Sequence, residues 1–103
     1  MEVEYLILLV EDEIQEKKEL RMRLEDDKTF SKTVPMEVKN VWYKIYDSSF
    51  EVNYKFLKHL KTFRGKKYRP GKFYNRYIRL NELLFDISMS LTDFYGIKED
   101  VIL

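Results

Sequence analysis

Residues 75–96 read NRYIRLNELLFDISMSLTDFYG, and this stretch decides the fold class. Its apolar residues recur at alternating steps of three and four, which is the spacing of one face of an α-helix. Gly96 at its end suits the left-handed conformation that closes many helices. The sequence therefore predicts a long C-terminal helix whose buried face carries Tyr77, Leu80, Leu84, Ile87, Leu91 and Phe94.

The same helix carries a second apolar line on another side, made of Tyr74, Ile78, Phe85 and Met89. A helix on the surface of a monomer needs only one buried stripe. Either the N-terminal helix or a second copy of the chain has to cover the second line. We favour the second copy and predict a homodimer, because two-fold symmetry would suit a palindromic DNA site.

The N-terminal quarter of the chain is also expected to be helical. Residues 2–27 contain no Gly or Pro and consist mostly of strong helix formers. We predict a helix over residues 11–27, although the first eight residues could instead form a strand that leads into it. Residues 28–34 are expected to form a loop, and Pro35 suits the first position of the next helix.

The middle of the chain supports two interpretations. In the first, a helix over residues 36–46 ends at Asp47-Ser48-Ser49, and Ser48 with Glu51 forms a capping box that begins a second helix. In the second, the alternation of apolar and polar residues over 50–56 indicates a strand, paired in a hairpin with residues 41–45. The helical interpretation is favoured because the apolar spacing continues to Phe63, with Gly65 as a stop.

The charges of the chain are strongly segregated. Residues 55–79 contain ten of its 19 Lys and Arg residues, one His, and neither Asp nor Glu. Aromatic residues are interleaved with these cations, and a basic aromatic tract is typical of a nucleic-acid contact surface. We expect most of Phe56, Phe63, Phe73 and Tyr77 to lie in the core. On a helical wheel the lysines of residues 50–63 lie opposite the apolar residues, and Asn53 lies on the apolar side.

A turn follows the basic helix. Pro70 and Gly71 occupy the two central positions of a type II turn, and residues 67–68 and 73–74 could pair as a short ribbon. Over residues 35–80 this order of elements resembles a winged helix-turn-helix domain. The resemblance implies a supporting helix at residues 36–46, a recognition helix at 49–63 and a hairpin wing at 65–75.

The predicted fold is therefore mainly α with a small β-hairpin, in one compact, winged-helix-like domain covering residues 1–103. The predicted function is that of a transcriptional regulator that binds double-stranded DNA. An interaction module for an acidic protein partner is the alternative. The residues expected to contact nucleic acid are Tyr54, Lys55, Lys58, Lys61, Arg64, Lys66, Lys67, Arg69, Lys72 and Arg76.

Other functions find little support in the composition. The chain has no Cys and a single His, so thiolate metal sites and disulfides are excluded, and we predict neither metal nor cofactor nor small-molecule ligand. Its longest apolar run is too short for a membrane span, and we expect a cytoplasmic protein. The absence of Ala is compatible with an archaeal or viral source. Glu37 and Lys39 have a spacing found in metal-dependent nucleases, with Asp26 or Asp27 as a second acid, and this makes an enzyme the weakest alternative.

Overall fold

The computed structural model of the chain describes residues 2–97, which are mainly helical and contain no β-strand. Four helices follow one another: α1 (Val3–Asp26), α2 (Lys28–Thr33), α3 (Met36–Lys61) and α4 (Lys72–Tyr95). The start of α1 and the start of α4 both pack against the end of α3. α3 is therefore the central helix, antiparallel to α1 and to α4, in an elongated bundle of 49 × 22 × 19 Å.

The first helix is longer than predicted. It begins at Val3 instead of residue 11, so the alternative of an N-terminal strand is wrong. Val3, Leu6, Ile7 and Val10 have helical spacing and are all buried in a cluster with the end of α3. This contact extends the helix back through the segment whose structure the sequence left open.

A short helix replaces the predicted loop over residues 28–34. The Asp27 side chain accepts a hydrogen bond from the backbone N–H of Phe30 at 2.9 Å, which caps α2. Phe30 is buried and packs edge-on against Trp42, with ring centroids 5.4 Å apart. One cap and one buried ring thus order the segment, and Pro35 lies just before α3 as its N-cap.

The predicted break at Asp47-Ser48-Ser49 is wrong, and so is the alternative hairpin, because α3 runs unbroken through both. Asp47 and Ser48 are exposed, whereas Ser49 is buried against the neighbouring helices. The buried positions therefore keep helical spacing across the polar segment: Trp42, Ile45, Tyr46, Ser49, Asn53, Phe56, Leu57 and Leu60.

The predicted wing is absent from the described residues. Lys67 forms one isolated bridge with Glu2, and Phe73 and Tyr74 belong to the first turn of α4 instead of a second strand. Gly71 is the N-cap of α4, so the chain enters a helix directly after Pro70 instead of folding back. The predicted recognition helix is only the second half of α3. The winged-helix interpretation is therefore not supported.

The predicted C-terminal helix is confirmed, with Lys72 as its first residue and Gly96 as its left-handed cap at φ +67°. Its buried face differs from the prediction. Ser88 and Thr92 are fully buried, whereas Ile87 and Phe94 of the predicted stripe are 40% and 79% exposed. Small side chains let α4 approach the bundle closely, so its inner face is not its most apolar one.

Candidate nucleic-acid interface

The ten residues predicted to contact nucleic acid lie at one end of the bundle, and we term them the basic surface. They come from the second half of α3, the connection over residues 62–71 and the start of α4. The structure brings these three segments together because α3 and α4 are antiparallel. All ten are exposed: Tyr54, Lys55, Lys58, Lys61, Arg64, Lys66, Lys67, Arg69, Lys72 and Arg76.

The part of the basic surface on α3 has a regular arrangement. Tyr54, Lys58 and Lys61 follow at steps of four and three, so they share one face of the helix. Lys55 lies beside them and pairs with Glu51, with Nζ and Oε1 2.7 Å apart. This hydrogen bond, together with the charge of Lys55, lowers the pKa of Glu51. The prediction that the lysines lie opposite the buried residues of the helix is confirmed, and Asn53 is buried as expected.

The start of α1 contacts the connection between α3 and α4 at two points. The backbone N–H of Gly65 donates to Glu4 Oε1 at 3.3 Å, and the backbone of Glu2 forms the isolated β-bridge with that of Lys67. Gly65 adopts φ +77°, a conformation that side-chain-bearing residues rarely adopt. These contacts hold the connection between α3 and α4 against the first turn of α1.

An aromatic cluster lies beneath the basic surface. The His59 ring stacks on Phe73, with centroids 4.1 Å apart and 16° between planes, and its Nε2 lies 3.1 Å from the Tyr68 hydroxyl. Tyr68 is almost fully buried, and burial raises the pKa of its phenol. Phe56 and Tyr77 are buried as predicted, but Phe73 is 45% exposed. Phe73 is the residue that sequence reasoning missed, because nothing in the sequence separates it from its buried aromatic neighbours.

A groove between α3 and α4 opens beside Phe73. Its volume is about 290 Å³. Lys55 and Arg76 of the basic surface lie on opposite helices and line the two walls. The remaining lining residues are Ser48, Glu51, Val52, Phe73, Tyr77 and Leu80. The groove therefore combines an exposed aromatic ring with two cations and one carboxylate.

A buried polar layer crosses the middle of the bundle. The Lys17 ammonium is 2.5 Å from Asn53 Oδ1, 3.3 Å from Glu13 Oε1 and 3.4 Å from Asn81 Oδ1. Burial lowers the pKa of Lys17, and the nearby Glu13 charge opposes this shift. The Tyr77 hydroxyl donates to Glu13 and accepts from Asn53. All three donors of the Lys17 ammonium thus have acceptors, so the layer has a structural role.

The four residues predicted to form a dimer interface occupy two environments. Tyr74 is half-buried, and its ring centroid lies 5.9 Å from that of Phe56, so it belongs to the aromatic cluster. Ile78, Phe85 and Met89 are each between 36% and 39% exposed. The rest of the bundle therefore covers these three side chains only in part.

The residues of the nuclease alternative do not form a metal site. Within residues 2–97 no group of three or more His, Asp or Glu side chains could hold a metal ion. Asp27 caps α2, and Lys39 Nζ donates to the carbonyl of Ser31 at 2.9 Å. In the same range, every helix is too short or too polar to cross a membrane.

Comparison of the chain with models of known protein families, with curated proteins and with solved structures finds no match. A function therefore has to follow from the residues of the site.

Proposed function

We propose that this protein binds nucleic acid through the basic surface, mainly by contacts with backbone phosphates. The observation that carries the proposal is the gathering of nine exposed Lys and Arg residues at one end of the bundle. Within the described residues, only Lys55 of these nine pairs with a carboxylate. The other ammonium and guanidinium groups are available as phosphate donors.

The predicted preference for duplex DNA rested on a recognition helix followed by a wing. Within the described residues there is no wing, and the predicted recognition helix is only the second half of the longer α3. A role in transcription depends on the same resemblance and stays a prediction. Contacts with phosphates require neither element, because every nucleic acid carries a regular line of negative charge.

The groove between α3 and α4 favours a strand with unpaired bases. One face of the Phe73 ring is covered by His59, so the other face is available for a base to stack on. Lys55 and Arg76 flank this position and can hold the adjoining phosphates. The groove lies at about the lower limit of ligand pockets, roughly 300 Å³, a size that suits one base better than a larger ligand. We therefore expect single strands to bind more tightly than duplexes.

The test is a binding titration with labelled single-stranded DNA, duplex DNA and RNA of one sequence at several salt concentrations. For wild type, log affinity should fall with log salt by about 0.7 per phosphate neutralised on a single strand. Lys58→Glu/Lys61→Glu removes two phosphate contacts and should lower that slope by about 1.4. The control Lys32→Glu/Lys44→Glu makes the same charge change at exposed lysines outside the basic surface and should bind like wild type.

The contribution of the groove is measured separately with Phe73→Leu. Stacking contributes about 1–3 kcal/mol per base, so single strands should bind roughly 5- to 150-fold more weakly, while duplex binding stays unchanged. No binding to any nucleic acid at low salt would contradict the proposal and would favour an acidic protein partner. Equal losses for all ligands with the control variant would show that net charge, not the basic surface, governs binding.

A further inference from the structure

α4 carries a partly exposed apolar line on one flank. Ile78, Phe85 and Met89 follow at steps of seven and four, so they form one line along the helix. Each is more than one third exposed, although large apolar side chains in a line are normally covered. Phe85 borders a small cavity that Glu13 and Lys17 of α1 also line, but more than one third of each side chain in the line stays open to a partner from outside the described residues.

A line of charges runs directly beside this apolar face. Lys72, Arg79, Asp86 and Asp93 follow at intervals of seven residues, so they occupy one position of a heptad repeat. All four are exposed, and none forms an ion pair within the described residues. The cations lie in the first half of α4 and the anions in the second half.

We propose that a second copy of this chain packs on this face, with the two α4 helices antiparallel. One register then places Lys72 opposite the partner's Asp93 and also Arg79 opposite the partner's Asp86. The two-fold axis repeats both contacts, so one interface contains four complementary pairs. A parallel arrangement would instead bring equivalent ends of the two helices together, with cations near cations.

The charge pattern identifies the occupant as a second copy because the face is complementary to itself. A partner surface with charges of only one sign would be attracted at one end of α4 and repelled at the other, because the cations and the anions lie in different halves of the helix. The apolar line supplies the buried centre of such an interface and the charges supply its rim, as is usual for protein contacts. This inference shares only Lys72 with the basic surface and uses neither the groove nor the α3 lysines, so it does not rest on nucleic-acid binding.

The test uses two charge reversals that should each separate the dimer. In Arg79→Asp the new carboxylate would oppose the partner's Asp86, and in Asp86→Arg the new cation would oppose the partner's Arg79. Each homodimer would then contain two repulsive contacts, and we expect its dissociation constant to rise by about tenfold. A mixture of the two variants restores opposite charges at all four positions, so it should form a heterodimer with wild-type affinity.

Sedimentation equilibrium of the full chain measures all three dissociation constants, and circular dichroism checks that each variant keeps its helix content. Phe85→Ser tests the apolar line itself and should also weaken the dimer. A wild-type monomer at high micromolar concentration would overturn the proposal. A dimer that both single reversals leave unchanged, or reversals that do not complement each other in the mixture, would overturn the antiparallel arrangement of α4.

Discussion

At the scale of single residues, Lys17 is the clearest example of a polar group that shapes the fold. Its ammonium is buried among Glu13 of α1, Asn53 of α3 and Asn81 of α4. A buried cation without acceptors is strongly destabilising, so a shift of any helix by one turn would be penalised. We infer that the layer defines the register of the three long helices.

Because of Tyr77 in the same layer, the free energy of unfolding should fall as the pH rises in the alkaline range. Burial, followed by the hydrogen bond to Glu13 and its charge, raises the pKa of Tyr77. The unfolded chain loses this proton near pH 10, whereas the folded chain keeps it. The stabilisation is therefore complete below pH 10 and is lost as pH rises further, by up to about 1.4 kcal/mol per pH unit for this group.

Tyr77→Phe should therefore show a shallower loss of stability above pH 10 than wild type. At neutral pH it should also lower the free energy of unfolding by about 1–2 kcal/mol, because two hydrogen bonds are lost. Urea denaturation between pH 8 and pH 11 measures both effects. Tyr54→Phe removes an exposed hydroxyl as a control and should follow wild type. An unchanged alkaline slope for Tyr77→Phe would contradict this assignment.

At the scale of secondary-structure elements, the sequence predicted α4 well and divided α3 wrongly. α4 has a long apolar period and a glycine cap, two local signals that agree. In α3 the three consecutive polar residues Asp47, Ser48 and Ser49 form a pattern that is typical of a helix end. Their roles are tertiary, because Asp47 pairs with Arg21 of α1 and Ser49 is buried near the polar layer. A single sequence does not reveal those partners.

The candidate site was largely predictable because charge is a local property of the sequence. Every residue of the basic surface is exposed as expected, since cations at that density cannot all be buried. Phe73 was not predicted as exposed, because its exposure depends on how α4 begins at Gly71 and on the His59 ring that covers one face. The groove likewise exists only after α3 and α4 have packed.

The glycines at the two ends of α4 should differ in how the same substitution changes the stability of the fold. Gly96 has φ +67°, where a side chain costs about 1–2 kcal/mol, so Gly96→Ser should destabilise the fold. Gly71 has φ −147° and no capping side chain, so Gly71→Ser should be neutral or stabilise by a few tenths of a kcal/mol. Thermal unfolding measures the difference, since about 1 kcal/mol shifts Tm by roughly 4–8 °C in a chain of this size. A similar loss for both variants would contradict the assigned caps.

At the scale of the whole molecule, the two proposed interfaces share only Lys72 on α4. The basic surface takes the first turns of the helix together with the end of α3, whereas the dimer uses the line of Ile78, Phe85 and Met89 and the charges beside it. In the antiparallel dimer the two Lys72 residues lie 21 positions apart along α4, or about 30 Å at a rise of 1.5 Å per residue. The dimer would therefore present two basic surfaces at opposite ends.

This separation predicts a step in affinity with the length of the nucleic acid. At about 3.4 Å per phosphate, a strand covers the distance in roughly ten nucleotides. Shorter strands reach one basic surface, whereas longer ones engage both, and the second contact is then intramolecular, which can raise affinity by about 10²-fold or more. Titrations with strands of increasing length should show this step for wild type. Arg79→Asp, which alters no residue of the basic surface, should bind short strands normally and lack the step. A smooth increase with length, identical in both proteins, would mean that the two basic surfaces do not act together on one strand.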